Sequence, residues 1–282
     1  SLHVRGERGA LQMLQGLTIQ GVQSIEIDAG RFLFSCEELP VEEGLFHGSD
    51  VVILACKSHA VEHLARIATD FLKPDGVVMA LSNGLGHVTT LRRVNGPERV
   101  LASITTHGAY IEGESTVWAG VGGVGLAVPP MGPSPLKLLG VVDALRDAGL
   151  DPWVHEDASM LIWQKVLLNL AINPLAALGG LKNGELLEPP LFNACMMVYR
   201  EAAQVASMER VLLPSEEEFE AHLREVLELT KDNTCSMLQD IKAGRITEIE
   251  ALNKALVVLA EEHGIAVPIN QTLAALVSAC HP

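Results

Sequence analysis

The chain has 282 residues, 48% of them hydrophobic, so it exceeds one average domain and can bury sizeable cores. Lys and Arg total 20 against 35 Asp and Glu, a formal charge of −15, and such a surface repels polyphosphate backbones, which argues against a nucleic-acid partner. Five scattered cysteines (Cys36, Cys56, Cys195, Cys235, Cys280) show neither a CxxC pair nor finger spacing, as reduced thiols in the cytoplasm would. No apolar run looks long and unbroken enough to span a bilayer and no signal peptide is visible, so a soluble cytoplasmic protein is expected, with no membrane partner.

In chain order, Leu17–Gln20 and Ser24–Asp28 predict a small hairpin. Asp50–Cys56 (DVVILAC) is the continuous, β-branched run that a doubly covered parallel strand requires. Ser58–Leu72 follows with helical apolar spacing, and Gly76–Leu81 and Arg99–Ile104 read as further strands. Gly120–Val128 predicts a Gly-rich strand, and Ser134–Ala148 a helix ended by Gly149. This alternation predicts an α/β, Rossmann-like doubly wound sheet over residues 1–155. From about Asp157 the strands stop. Leu161–Leu178, Leu191–Met208, Ser215–Leu238 and Ile246–His263 predict an all-α domain over residues 156–282, with a capping box at Ser215 and Glu218.

Open α/β sheets bind ligands beyond the carboxyl ends of their strands. Three apolar runs end there in polar residues: Lys57, then Asn83-Gly84, then Thr105-Thr106-His107-Gly108. One such ending is ordinary turn chemistry, whereas three that converge predict a cleft. A dinucleotide fold also opens with a strand, a GxGxxG turn and a helix. Ser1–Arg5 reads instead as the end of a second strand, so the first strand and Gly-rich loop, about 25 residues, are expected to be absent. Gly120–Gly125 (GVGGVG) matches GxGxxG by letter, but Pro129 and Pro130 follow too soon for a helix, so close packing in a buried strand is expected.

Lys165, Asn169 and Asn173 recur every fourth residue and share one face of an otherwise apolar helix. Burying them without partners would cost several kcal/mol, about the transfer cost of unpaired polar groups, so a polar ligand, solvent or a neighbouring domain should face them. Pro174 is expected to kink or end that helix. An ammonium beside two amides suits a small carboxylated carbonyl compound, with the lysine as proton donor. Asn233 and Ser236, three apart, are expected on one helix face. Glu248, after a break at Gly244, reads equally as a solvated carboxylate or as an anchor for a ribose hydroxyl or a catalytic water. His59 and His63 lack a third ligand, so no metal is expected.

These residues carry a resemblance. KVLLNLAINPLAALGGLKNGELLE (Lys165–Glu188), SMLQDIKAGRITEIEALN (Ser236–Asn253) and HGIAVPINQTL (His263–Leu273) are similar to signature segments of the ketopantoate reductase (2-dehydropantoate 2-reductase) family. SNG at Ser82–Gly84 and TTHGA at Thr105–Ala109 resemble its cofactor cleft. The resemblance implies reduction of ketopantoate to pantoate by NADPH, for coenzyme A synthesis, by a monomer or a homodimer. It implies Lys165 as general acid and Glu248 as a second catalytic group. Asn83, Asn169, Asn173, Asn183, Asn233 and Ser236 would grip the substrate. Arg5, Lys57, Asn83, Ala109 and Glu248 would line the cofactor, Arg5 at the 2′-phosphate. Reduction of another 2-oxoacid, or a non-catalytic binding role on the same fold, are the competing readings.

Overall fold

The computed structural model describes residues 1–4, 6–36 and 46–280. It opens with β1 (Leu2–Val4), α1 (Gly6–Gln15) and β2 (Leu17–Gly21). β3 (Ile25–Ile27) pairs antiparallel with β2, the expected hairpin, and β4 (Phe34–Cys36) lies parallel to β1. β5 (Ser49–Leu54), α2 (Val61–Phe71) and β6 (Leu72–Ala80) then make a parallel strand–helix–strand unit. After α3 (His87–Asn95), the run into β7 (Ala102–Thr105) joins β6 through a parallel bridge between Val78 and Val100. β8 (Gly108–Glu112) and β9 (Ser115–Gly120) form a second hairpin whose β9 runs parallel to β2. β10 (Val124–Ala127), α4 (Pro135–Asp147) and β11 (Pro152–Val154) complete a main layer ordered β5-β6-β7-β10-β11.

The pleat of β6 explains why helices cover both faces. Val78 and Ala80 face Val61, Ala65 and Leu91 of α2 and α3. Val77 and Met79, on the opposite phase, face Leu138, Val141 and Leu145 of α4. Of the single Gly-rich strand expected over Gly120–Val128, only Val124–Ala127 is strand, Gly120 ending β9 and residues 121–123 linking the two, but the glycines are packing positions as expected. A Cβ on Gly125 would meet the Trp153 ring at 2.6 Å, and one on Gly122 would meet the Thr106 carbonyl carbon at 2.3 Å.

The second half is built around α5 (Ala158–Gly179), whose N-terminus is capped by Asp157 accepting from the Met160 amide at 2.9 Å. α6 (Pro189–Met208), α7 (Glu216–Leu229), α8 (Ser236–Lys242), α9 (Ala255–Glu262) and α10 (Pro268–Ala279) pack around it. The Ser215–Glu218 capping box starts α7 as expected. By length and apolarity α5 could cross a membrane, contrary to the reading of its sequence, but 67% of its apolar window is buried inside the protein. Its apolarity is that of a central core helix.

Three local expectations give way. The helix expected over Ser215–Leu238 is broken: α7 stops at Leu229, and the Asn233 amide donates to Thr230 O at 2.8 Å in a turn. Asp232, Asn233 and Thr234 are residue types whose side chains can compete for backbone hydrogen bonds, a composition that favours a turn over a helix. The helix expected over Ile246–His263 starts later, as one π-turn (Glu250–Lys254) leading into α9. Pro174 does not end α5, which continues to Gly179. Buried Leu170, Ala176 and Ala177 on either side supply packing that offsets the lost backbone hydrogen bond, about 3 kcal/mol.

Glu201 of α6 locks α10 in place. It accepts from the Ile269 and Asn270 amides, both at 2.9 Å, and from Asn270 Nδ2 at 2.8 Å, at the positive end of α10. Glu201→Ala strands these buried donors and is expected to cost about 3–5 kcal/mol in urea unfolding. A loss below about 1 kcal/mol would mean that water replaces the carboxylate.

Candidate active site

Each of the three strand ends is met by a polar group from the helical half. Beyond β5, the Lys57 ammonium pairs with Asp240 of α8, a carboxylate only 5% exposed that also accepts from Arg245 Nε at 3.1 Å. Beyond β6, Asn83 Nδ2 donates to Glu248 Oε2 at 2.8 Å, and the other Glu248 oxygen accepts from the Ser58 amide at 3.2 Å. Beyond β7, Lys165 of α5 donates to Thr105 O at 2.5 Å. Glu248 is thus a buried carboxylate bound across the two halves, and not a solvated one.

Gly84 sets how closely those halves approach. The Leu85 amide donates to Ala251 O at 2.7 Å, and a Cβ on Gly84 would lie 2.3 Å from that same oxygen. Its φ of +101° adds strain for any other residue. Gly84→Ala is therefore expected to pull Asn83 away from Glu248 and cut turnover at least about tenfold, the factor for losing one hydrogen bond to a charged group. Steady-state kinetics beside a thermal unfolding curve check this, and unchanged kinetics would show that the contact is dispensable.

The polar stripe on α5 lies in the same region. Asn169 Nδ2 is buried with no hydrogen-bond partner among the described residues. Asn173 is buried, and its carbonyl accepts from the Cys235 thiol at 3.6 Å, which draws the first turn of α8 towards α5. A buried amide with no protein acceptor is the kind of group a bound oxygen satisfies. Burial pushes the Lys165 ammonium down from 10.5 to about 8, and the negative charge of Glu248 opposes that fall.

Other expected residues fall differently. Asn183 is buried and spends its Nδ2 on Thr230 Oγ1 at 3.0 Å, which ties it to the turn after α7, while its Oδ1 has no partner among the described residues. Asn233 lies exposed in that turn and Ser236 exposed at the start of α8, so they do not share a helix face as expected. Ala109 is exposed on β8, opposite Trp118. Arg5 lies outside the described residues. His107 bonds backbone only, accepting from the Gly122 amide at 3.1 Å. Asp240 and the Ser58 amide were not singled out from the sequence. The one trace of Asp240 is a lone acid in the otherwise uncharged start of SMLQDIK.

The comparisons with known proteins cover both halves. A family model described as Ketopantoate reductase PanE/ApbA matches residues 15–128, and one described as its C terminal matches residues 157–281. A 2-dehydropantoate 2-reductase of Archaeoglobus fulgidus is 31% identical over 269 residues, covering 93% of this chain and 83% of that one. The chain belongs to the ketopantoate reductase family. A relative of the same name from Halobacterium salinarum is 33% identical over 230 residues, covering 81% of this chain and 75% of that one. The fold of this ketopantoate reductase relative is also that of D-mandelate dehydrogenase with NADH and anilino(oxo)acetate, at TM-score 0.88 and 24% identity, over 99% of this chain and 90% of that one.

Proposed function

We propose that the protein reduces 2-dehydropantoate to pantoate with NADPH, as a cytoplasmic step towards pantothenate and coenzyme A. The observation that carries this reading is Lys165, a buried amine drawn down to about 8 and set at the end of β7, on the same helix face as the unpaired amide of Asn169. An amine in that range is still mostly protonated at neutral pH yet yields its proton readily.

A nicotinamide dinucleotide fits the groups present. Lys57, Asn83 and Glu248 gather a cation, an amide and a carboxylate at the carboxyl ends of parallel β5 and β6, where open α/β sheets take ligands. Lys57 spends one ammonium proton on Asp240 and keeps others for an anionic ligand in an acidic chain. We assign Ala109 and Arg5 to the same cofactor, Arg5 to its 2′-phosphate. When bound, the cofactor supplies a hydride to the keto carbon. Lys165 gives its proton to the developing alkoxide oxygen. Asn169 and Asn173 donate to substrate oxygens, with Asn183, Asn233 and Ser236 closing on its carboxylate and hydroxyl. Glu248 holds Asn83 in position and keeps Lys165 protonated. Residues 1–155 serve as the cofactor domain and 156–282 as the substrate domain.

The test is NADPH and NADH oxidation with ketopantoate, pyruvate and phenylglyoxylate. A rate with ketopantoate and NADPH at least tenfold above the other pairs supports the proposal. The likeness to D-mandelate dehydrogenase favours one alternative, an aryl 2-oxoacid with NADH, and a higher phenylglyoxylate rate would replace ketopantoate with it. Cofactor binding without turnover on any oxoacid would leave a binding protein.

A further inference from the structure

The two parallel strands that lead to Lys57 and Asn83 stop pairing before they reach those residues. Their register ends at Leu54 opposite Ala80, and the Leu81 amide then donates to Leu54 O at 3.0 Å. Past that point no backbone bond joins residues 55–58 to residues 82–84 among the described residues. A side chain takes over. Ser82, only 3% exposed, donates its hydroxyl proton to Cys56 O at 2.7 Å. The Cys56 sulfur lies 4.0 Å from the same hydroxyl, so the carbonyl contact is the one that holds the two strand ends together.

This bond closes a ring with the contacts around Glu248. From Cys56 the chain runs through Lys57 to the Ser58 amide, which donates to one Glu248 oxygen at 3.2 Å. From Ser82 it runs one residue on to Asn83, whose Nδ2 donates to the other oxygen at 2.8 Å. Ser82 thus clasps the strand ends at their base, and Glu248 clasps them at their tip. The two oxygens of a carboxylate share one carbon, so their spacing is fixed. Glu248 therefore meets both donors only while the base keeps its width. The Ser58 bond, at 3.2 Å, already sits at the long end of the normal range, and a small widening would break it.

Lys57 has a hold of its own, because Asp240 of α8 pairs with its ammonium. The clasp therefore acts on Asn83 and Glu248 more than on the cation. Ser103 of β7 offers a contrast. It is 0% exposed and donates to Ala80 O at 2.9 Å, the same kind of bond to a neighbouring strand. It bonds to neither Asn83 nor Glu248.

We propose that Ser82 is a positioning residue of the reduction site: its hydroxyl sets the spacing of the ends of β5 and β6, so that Glu248 can hold Asn83 in place. Its effect on turnover rests on the reductase reading, whereas the spacing itself does not.

The test compares Ser82→Ala, Asn83→Ala, the double variant of the two, and Ser103→Ala as control, all in the full chain. By proton–nitrogen NMR, solvent exchange of the Ser58 amide is expected to speed about tenfold in Ser82→Ala, the factor for losing one hydrogen bond to a charged group. The Asn83 side-chain amide signals are expected to move as well, and neither change should occur in Ser103→Ala. This readout needs no turnover, so it decides the spacing even if the protein reduces no oxoacid. With an oxoacid that the parent reduces, Ser82→Ala is expected to lower kcat about tenfold, while KM for NADPH stays within about threefold. On top of Asn83→Ala the same change should cost less than about threefold, because both substitutions break one contact. A serine that served stability alone would cost the same factor in either background. Equal kcat losses in Ser82→Ala and Ser103→Ala, an undiminished loss on top of Asn83→Ala, or an unmoved Ser58 amide would overturn the proposal.

Discussion

Lys165→Ala is expected to lower kcat for the proposed reduction by about 10²–10⁴-fold, the usual worth of a positioned general acid. The side chain crosses from α5 to the end of β7, where its ammonium binds the Thr105 carbonyl. No other cation makes a contact at that strand end among the described residues. The parent enzyme should also lose activity as pH rises through about 8, because the amine must be protonated to act and burial has brought it down from 10.5. Stability runs the other way. Between about 8 and 10.5 the unfolded chain binds the proton more strongly than the folded one, so this group makes the fold more stable as pH rises through that window. Below about 8 the fold carries a costly buried charge. Lys165→Met should therefore fold at least as stably as the parent at pH 7 while losing turnover. Stopped-flow kinetics and thermal unfolding of the two variants separate these effects. A Lys165→Met variant that keeps more than a tenth of parental kcat would remove lysine from the chemistry.

Glu248→Gln should shift the alkaline limb of the pH profile to below about 8 and reduce kcat/KM by about 10- to 100-fold. The carboxylate opposes the fall of the Lys165 pKa, so removing its charge lets burial lower that group further. The direction is fixed by the sign of the interaction. The loss in kcat/KM follows from weakening two contacts, to Asn83 Nδ2 and the Ser58 amide, that charge now assists at about 1.5–3 kcal/mol each at most. Glutamine keeps the shape and one acceptor, so part of that value remains. A pH–rate profile on both proteins is the measurement. A limb that stays in place, or moves up, would show that Glu248 does not act through Lys165.

The amino-acid sequence by itself determined the local terms. The pleat of β6, the capping box at Ser215 and Glu218, and the fourfold spacing of Lys165, Asn169 and Asn173 are all set by residues within a turn or two of each other. Backbone geometry alone converts such spacing into a shared face. The family signatures were legible for the same reason, as short contiguous runs. The tertiary structure decided what those faces meet. Lys57 finds Asp240 across 183 residues, Asn83 finds Glu248 across 165, and Lys165 finds Thr105 across 60. A carboxylate such as Glu248 is solvated or buried only by virtue of the chain that closes over it, and no local pattern encodes that closure. The same holds for Pro174 and for the Thr230 turn. A proline is tolerated in a helix when packing on both sides outweighs one lost hydrogen bond. A predicted helix breaks when side chains offer the backbone better partners than the next turn does.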